Sequence, residues 1–354
     1  MTLASRLRGE IDASGPMPFE TFMAACLYDP DGGFFTTGPL RSVRSGDFLT
    51  SPEVSPWFGR CLARFVAAEG DRLGSPPGLL VADVGAGSGS LLTGLREPIG
   101  LAAELWAADA SPAARDALGG VVGDSNVAEQ LTNLPAGRPT VLFANELLDN
   151  VPVSLAVREA GGWTERWVGA ADDDALSLVP VPARPEVAKW AGLFCGTVPV
   201  GGMVEVQLAA GEWLRRALDH IGSGAVVVID YGGTAEELEP RRTRGTLRTY
   251  RNHHLGPDPL LAPGETDVTV DVNFTALLAV ATAAGAKAEL HRQDDFLAVL
   301  GLGDEVSRLR RLELELARGG DAVARLQVRS EKTDAETLMH PRGLGDFRVL
   351  IARK

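Results

Sequence analysis

Short apolar runs and longer stretches of helical periodicity alternate along the chain from residue 79 onward. Apolar runs at 79–84, 103–108, 140–144 and 225–230 have the length of strands, and each leads into a polar or glycine-rich segment. The stretches between them repeat apolar residues every three or four positions, which is typical of helices. With two later apolar runs, this alternation predicts βαβ units and a mostly parallel sheet of six or seven strands.

Regions outside this alternation divide the chain. Residues 1–75 contain two helical stretches separated by glycine and proline, and we expect this region to pack on and cap a ligand site. Residues 76–354 are predicted to form the α/β domain, with insertions at about 150–200, 232–272 and 294–340. The last insertion is predicted to contain two or three helices with a charged, solvated face.

Charge and composition exclude several classes of protein. The 354 residues carry a formal net charge of −13, which repels phosphate backbones, so we expect no nucleic-acid partner. No apolar stretch reaches the length of a membrane span and no signal peptide is evident, so we expect a cytoplasmic protein. Three cysteines without CxxC spacing predict reduced thiols, and five histidines without HxxxH spacing predict no metal site.

A glycine loop follows the first strand in the stretch VADVGAGSGSLL, residues 81–92. Gly85, Gly87 and Gly89 lie between strand and helix, where glycine allows a tight turn and close approach of the backbone to a ligand. Asp83 precedes them, and its carboxylate repels a pyrophosphate but attracts a positively charged amino group. S-adenosylmethionine has such a group and no phosphate, so we expect it as the cofactor.

Two further carboxylates extend the predicted cofactor site. Asp109 closes the second strand, where a carboxylate can accept two hydrogen bonds from a ribose diol. Asp124 follows the apolar pair Val121–Val122 and can reach the adenine amino group. The alternative interpretation is an ordinary turn for the glycines and an N-cap role for Asp109 beside Ser111. A nicotinamide dehydrogenase is disfavoured by Asp83 and by the GxGxG spacing.

Five separated motifs carry a resemblance to a known family. In chain order they are GDFLTSPEVSPWFG, FANELLDNVPV, IDYGG, GTLRTYRNHH and LLAPGETDVTVDVNFTAL. Together they resemble the methyltransferase family that includes the mitochondrial complex I assembly arginine methyltransferase and its bacterial relatives. The resemblance runs from about Phe19 to the closing PRGLGDFRVL. It implies a Rossmann-like class I fold of about seven strands, with S-adenosylmethionine bound over the glycine loop.

An arginine acceptor would require carboxylates near the cofactor, because a guanidinium stays protonated and its charge opposes attack on another cation. Glu146 and Asp149 follow the 140–144 strand, and their spacing can place both on one helical face. Glu53 lies on a polar loop that can fold over the cofactor. With the family resemblance, these three carboxylates are the candidate catalytic residues.

The remaining candidates contact the cofactor or the substrate. Thr50 and Ser51 belong to the same polar loop as Glu53, and Asp47 lies near it. Asn145 can hold the cofactor's amino acid group or a substrate backbone. Asp230 and Tyr231 end the 225–230 strand on the ligand side, and the family resemblance favours His253 or His254 near the substrate groove. Turn or capping chemistry is the alternative for Asp149, Glu53 and Asp230.

The functional hypothesis is a protein arginine N-methyltransferase whose partner is a protein with an exposed arginine. The acidic charge and the long insertions fit a groove for a cationic peptide. Two alternatives remain, which are a methyltransferase for a small molecule and an assembly or regulatory factor that binds S-adenosylmethionine without turnover. An open acidic groove would favour the first over a closed apolar chamber. A homodimer is left open.

Overall fold

The computed structural model describes residues 2–41, 50–96, 103–171, 175–251 and 254–354. The candidates Asp47 and His253 lie outside these ranges. Within them, no helix is long and apolar enough to cross a membrane. The same described residues contain no cluster of histidine, cysteine, aspartate and glutamate suited to a metal ion.

A seven-stranded sheet lies at the centre of the structure, in the order β4-β3-β2-β5-β10-β17-β16. Only β17 runs antiparallel to the others, pairing with β10 on one side and β16 on the other. The predicted α/β fold with a mostly parallel sheet is therefore confirmed. The strands are β2 (Leu79–Val84), β3 (Ala103–Ala108), β4 (Val127–Ala128), β5 (Pro139–Asn145), β10 (Ser223–Asp230), β16 (Lys287–Arg292) and β17 (Arg348–Arg353).

Both faces of this sheet are covered, which explains the continuous apolar runs of its strands. Along β2, Val81 belongs to one core and Leu80 and Ala82 to the other. The first core contains the helices α4 (Pro56–Arg72), α5 (Ser90–Arg96), α6 (Pro112–Val122), α11 (Gln293–Val299), α12 (Leu302–Gly319) and α13 (Ala322–Leu338). The second core contains the helices α8 (Leu208–His220) and α10 (Phe274–Ala283).

A second, antiparallel sheet arises from the 150–200 insertion and was not anticipated from the sequence. Its order is β1-β7-β6-β9, with β8 paired to β7. Helices α1 and α2 of the N-terminal region share a separate core with it. The elements are α1 (Leu3–Ser14), β1 (Met17–Pro18), α2 (Phe19–Tyr28), β6 (Ser154–Glu159), β7 (Gly162–Ala170), β8 (Leu176–Pro182), α7 (Pro185–Phe194) and β9 (Met203–Val206).

The 232–272 insertion forms small strands near the carboxyl ends of β5 and β10. Its strand β12 lies between β13 and β14, and β11 pairs with β15. The elements are β11 (Gly232–Gly233), α9 (Ala235–Leu238), β12 (Arg248–Arg251), β13 (His254–Leu255), β14 (Asp267–Thr269) and β15 (Val272–Asn273). This insertion therefore lies where a parallel sheet places its ligand site.

The predicted boundary near residue 75 separates two elements that share one core. Helix α4 packs against the central sheet with β2, and Ser55 caps it through a hydrogen bond of 3.3 Å from the Trp57 N–H. A short helix, α3 (Ser51–Val54), precedes α4 and lies near the glycine loop. Helices α3 and α4 thus belong with the sheet, whereas α1 and α2 belong with the second sheet.

Helices α4 and α5 approach each other at two glycines. A Cβ atom added at Gly59 would lie 2.6 Å from the Cα of Gly94, which is closer than real contacts allow. The absence of both side chains therefore sets the distance between α4 and the helix that follows the glycine loop.

Substituting Gly59→Ala is expected to lower the free energy of unfolding by about 1–3 kcal/mol, because the added methyl must push two backbones apart. Gly9→Ala is the matched control, since Gly9 is a helical glycine with nothing within 4 Å of its added Cβ. That change should be neutral or stabilise by up to about 1 kcal/mol. Urea denaturation of both variants measures the difference, and equal effects would contradict the packing argument.

Candidate functional site

The glycine loop connects β2 to α5 in the predicted conformation. Gly85 and Gly87 have φ angles of 76° and 53°, in the left-handed region. A Cβ at Gly85 would lie 2.8 Å from Leu147 Cδ1. Gly89 is also left-handed, but its added Cβ would meet Leu118 of α6, and Gly89 is not among the cavity-lining residues. Gly89 therefore serves helix packing, and its predicted contact with the cofactor is not supported.

A cavity of about 350 Å³ opens beside this loop at the carboxyl ends of β2, β3 and β5. Most of the predicted site residues line it, and three cofactor candidates, Ser51, Gly89 and Asp124, do not. The predicted residues in its wall are Thr50, Glu53, Asp83, Gly85, Gly87, Asp109, Asn145 and Glu146.

Asp109 ties the loop to α6 while it faces the cavity. Its Oδ2 accepts a hydrogen bond from the Gly87 N–H at 2.8 Å, and its Oδ1 accepts one from the Ser111 N–H at 2.8 Å. Burial raises the pKa of Asp109, and these two N–H groups oppose that shift. The capping interpretation and the ligand interpretation thus apply to the same side chain, because each oxygen keeps a second lone pair.

Two buried oxygens in the cavity wall have no hydrogen-bond partner within the described part of the chain. They are Oδ1 of Asp83 and Oδ1 of Asn145, whose side chains are buried. Burial, and then the charge of Asp109, raises the pKa of Asp83 well above its usual range. Unpaired buried acceptors are costly, so a bound donor with positive charge would stabilise them. The residues present therefore fit the amino group of S-adenosylmethionine.

The prediction for Asp124 is wrong in its placement. Asp124 is exposed in a short 3-10 turn, because the pair Val121–Val122 ends α6 and does not form a strand. The strand is β4, and the residues that follow it, Glu129 and Gln130, line the cavity instead. The signal that would have located them is the end of β4, two residues long and too short for a periodic pattern.

The polar loop before α4 contributes Thr50 and Glu53 to the cavity wall and also supports the site from behind that wall. Ser51 is buried, and its N–H donates to Oε1 of Glu146 at 3.1 Å. Ser51 thus holds Glu146. It had been expected to contact the cofactor, but it does not line the cavity. Glu53 accepts hydrogen bonds from the Thr50 N–H at 3.1 Å and from Ser88 Oγ at 2.9 Å, so it joins α3 to the glycine loop.

Glu146 has the left-handed φ of 51°, which is rare outside glycine and costs free energy. Its N–H donates to the Ile229 carbonyl at 2.8 Å, and its Oε1 also accepts from Asn145 Nδ2 at 3.3 Å. The predicted helical face is therefore wrong, because the chain leaves β5 through this residue. Burial raises the pKa of Glu146 to about 8, with the charge of Asp149 as a smaller cause.

Asp149 lies in the short 3-10 turn that follows, Leu148–Asn150. Its Oδ2 accepts hydrogen bonds from the Tyr231 hydroxyl and, at 2.8 Å, from Thr269 Oγ1. Its Oδ1 has no partner among the described residues. Burial raises the pKa of Asp149, and the two hydroxyl donors oppose the shift.

Asp230 is completely buried at the end of β10 and organises this turn. Its Oδ2 accepts the N–H groups of Leu148 at 3.0 Å and Asp149 at 3.2 Å, and its Oδ1 accepts the Tyr231 N–H. Burial and the nearby carboxylates raise the pKa of Asp230 well above its usual range. Asp230 is thus the turn residue of the alternative interpretation, while Tyr231 reaches the ligand side.

A second cavity, of about 480 Å³, lies on the other side of this turn. Glu146 and Asn150 line both cavities, and Asp149 and Tyr231 line the second one alone. The two cavities are therefore adjacent at Glu146 and Asn150.

Sequence reasoning missed much of the second cavity. The 232–272 insertion provides six residues of its wall and the segment before β17 provides four, among them Arg241, Arg248, Tyr250 and Arg342. It also missed Tyr28 and Trp213 in the wall of the first cavity. These residues lie in turns, on helices or on the short strand β12, and no motif spacing connects them to the glycine loop.

Comparison with known proteins gives an independent result. A family model described as "Putative S-adenosyl-L-methionine-dependent methyltransferase" matches residues 61–291. A crystal structure from Burkholderia thailandensis, described as a "likely methyl transferase" bound to S-adenosyl-homocysteine, is 30% identical. It has a TM-score of 0.85, with 99% of this chain and 92% of the other covered.

Curated relatives match most of this chain at lower identity. Protein arginine methyltransferase NDUFAF7, mitochondrial, of Mus musculus is 26% identical, with 95% of this chain and 80% of that protein covered. The homolog of Drosophila melanogaster is 25% identical, with 80% of this chain and 71% of that protein covered. Their names place these proteins in mitochondria, and the cytoplasmic location expected from the sequence is contradicted by this comparison.

Asp109→Asn is expected to weaken binding of S-adenosylmethionine by about 10- to 100-fold, because hydrogen bonds to a charged group contribute about 1.5–3 kcal/mol. Asp124→Asn removes the same charge from an exposed position outside the cavity and should leave binding unchanged. Isothermal titration calorimetry of the two variants distinguishes these positions. Equal losses would show that net charge, and not the geometry of the cavity, governs binding.

The free energy of unfolding should decrease as the pH rises, because Glu146 titrates. Its folded pKa of about 8 exceeds the ordinary value of 4.5, so the folded state binds more protons between these values and loses stability as the pH rises through them. Glu146→Gln removes this loss. As the pH rises through that window, the free energy of unfolding of the variant relative to the wild type should increase by up to about 1.4 kcal/mol per pH unit. Urea denaturation from pH 5 to 8 measures the gain, which the exposed Glu186→Gln should lack.

Proposed function

The chain belongs to this family of S-adenosyl-L-methionine-dependent methyltransferases, and we propose that its methyl acceptor is an arginine side chain of a protein. The observation that carries the proposal is the position of Glu146 at the boundary of the two cavities, with Asp149 beside it in the second. Among the described residues, neither carboxylate forms an ion pair. A cation is therefore the group that these two side chains would stabilise.

The names of the curated relatives support the same acceptor, since both are called protein arginine methyltransferases. The second cavity supports it by its character, because its wall is polar and charged and it opens to solvent. A closed apolar chamber, which a small apolar substrate would require, is not what this wall provides.

The chemistry follows from the charge of the acceptor. Bound S-adenosylmethionine supplies an electrophilic methyl group on a sulfonium. Carboxylates fix a guanidinium in one orientation through paired hydrogen bonds, and they offset its repulsion by a second cation. In this proposal, Glu146 and Asp149 hold the guanidinium so that one nitrogen faces the first cavity, and Tyr231 and Thr269 fix the carboxylate of Asp149.

The raised pKa of Glu146 fits a role in proton transfer. A guanidinium nitrogen that gains a methyl group loses one proton, since the product keeps a single positive charge. The carboxylate of Glu146 lies at the boundary to accept that proton at its oxygens, and a pKa of about 8 is close to neutral pH. Entry of the cationic acceptor lowers this pKa, so acceptor binding is coupled to ionisation of Glu146.

The cofactor residues have separate proposed roles. Asp83 and Asn145 hold the amino group with their unpartnered oxygens, and Asp109 holds the ribose diol. Glu129 and Gln130 take the adenine role that had been predicted for Asp124. Glu53 then acts as a positioning residue, since its contacts are with Thr50 and Ser88 and it lines only the first cavity.

The N-terminal region is proposed to close the first cavity. Tyr28, Phe35 and Leu40 line that cavity, and the Tyr28 hydroxyl donates to the Asn150 carbonyl at 3.2 Å. This contact connects the end of α2 directly to the turn that separates the two cavities.

Glu146→Gln and Asp149→Asn are expected to lower methyl transfer to arginine peptides by at least about 100-fold, the loss typical of removing a group that stabilises charge in the transition state. Binding of S-adenosylmethionine should persist in both variants. The exposed Glu186→Gln, at the start of α7, removes an equal charge outside both cavities and should keep full activity. Transfer of a labelled methyl group, followed by mass spectrometry of the product, measures the effect.

The same assay, together with a test of the two variants in cells, separates the alternatives. Label on arginine that disappears in both variants supports the proposal. Label that appears only on a small molecule from a cell extract would favour the small-molecule methyltransferase. Unaltered cellular function of both variants would favour an assembly or regulatory factor that works without turnover.

A further inference from the structure

Carboxylates and guanidinium groups both line the second cavity, and Arg248 lies close enough to Asp149 for its charge to oppose the burial that raises the pKa of that carboxyl group. Glu146 and Asp149 form its acidic end, beside the first cavity. Arg241, Arg248 and Arg342 contribute guanidinium groups to the same cavity, although a site for a guanidinium alone needs only anions. Three arginines in the cavity of a chain with net charge −13 therefore require a separate explanation.

Two of these arginines share one buried carboxylate. Arg241 pairs with Oδ2 of Asp271, and Arg248 Nη2 pairs with Oδ1 at 2.7 Å. The side chain of Asp271 is only 1% exposed, so its orientation is fixed by this double contact. Two guanidiniums against one carboxylate leave one positive charge in excess. The Nε of Arg248 is also a buried donor with no partner in the described part of the chain.

The third arginine adds to this excess. Arg342 lines the cavity and forms no ion pair within the described ranges. Asp346, a carboxylate of the same wall, pairs with Arg292 and Arg348, which also pair with Asp294 and Glu237, and its ion pairs do not include Arg342. Arg241, Arg248 and Arg342 define the cationic end, and within the described ranges the ion pairs of these three guanidinium groups involve a single carboxylate, that of Asp271.

The cavity also has room for more than one charged group. Its volume of about 480 Å³ lies in the range of pockets that bind ligands of drug size, which exceed a single guanidinium. Guanidinium groups bind carboxylates through paired hydrogen bonds, and their weak hydration favours such contacts in partly buried sites. A ligand that fits both ends carries a guanidinium and, a short distance away, a carboxylate.

We infer that the second cavity selects an arginine that has a carboxylate close to it, with Arg342 and Arg248 binding that carboxylate. The inference rests on the proposed function and adds the identity of the group beside the target. The carboxylate has two sources, an aspartate or glutamate next to the arginine in a peptide or the α-carboxylate of an arginine at a chain end. The contacts required of the enzyme are the same for both.

The test uses the full chain and a degenerate peptide library with one central arginine and varied neighbours. Methyl transfer is followed by sequencing of the labelled peptides by mass spectrometry. We expect peptides with an adjacent aspartate or glutamate to exceed their asparagine or glutamine counterparts by about tenfold in kcat/KM, the value of one charge-assisted contact. A second arm compares a peptide ending in arginine with its amide, and free arginine with its amide.

Arg342→Gln is the informative variant, because Arg342 is exposed at the rim and its loss does not empty the core. The ratio of acidic to neutral peptides should fall about tenfold in this variant. Arg311→Gln is the control, since Arg311 is an exposed arginine of α12 outside the cavity. It should keep the wild-type ratio. Arg248→Gln should lower the ratio as well, and its unfolding midpoint shows whether loss of the Asp271 pair has unfolded the site.

Each outcome has one meaning. A preference for an internal acidic neighbour, lost in Arg342→Gln, supports the inference with a peptide source, and a preference for the free chain end supports it with the α-carboxylate. Equal methylation of acidic and neutral peptides by the wild type overturns the inference and leaves the proposed function intact. Absence of methylation on every arginine substrate overturns the proposed function and the inference with it.

Discussion

The hydrogen bonds of one buried carboxylate, that of Asp230, hold the functional part of the molecule together. They join the end of β10 to the N–H groups of Leu148 and Asp149, which otherwise would be buried without partners at a cost of about 1–3 kcal/mol each. The chain can leave β5 through a strained Glu146 only because this acceptor fixes the next turn. Both cavities use that turn as their common wall, so the relation between them depends on Asp230.

Around this turn the protein keeps several acidic groups away from water. Burial raises the pKa of Asp83, Glu146, Asp149 and Asp230 alike, which means that their charged forms are unfavourable in the ligand-free state. The cores on both faces of the sheet supply the stability that tolerates this arrangement. Buried carboxyl groups that lower the stability of the ligand-free protein are expected where a bound cation stabilises their charged forms.

The sequence was informative where the chain itself determines the position of a residue. Strands buried on both faces give long apolar runs. The sheet was therefore predictable, and so was the placement of Asp83 and Asp109 at the carboxyl ends of its strands. Asp124 was misplaced because β4 has only two residues, and the apolar pair before it belongs to α6. Arg241 and Arg248 were missed because their positions are set by tertiary contact with Asp271, which no local pattern reveals.

The position of β17 has a consequence for how the protein is made. This strand lies between β10 and β16 in the sheet. In the chain, 117 residues separate the end of β10 from the start of β17, and 55 residues separate the end of β16 from it. During synthesis, β10 must therefore wait with one edge unpaired until residue 353 has left the ribosome. An unpaired edge of a buried strand attracts other chains. Nascent chains of this protein are thus exposed to mispairing at that edge while residues 231–353 are synthesised.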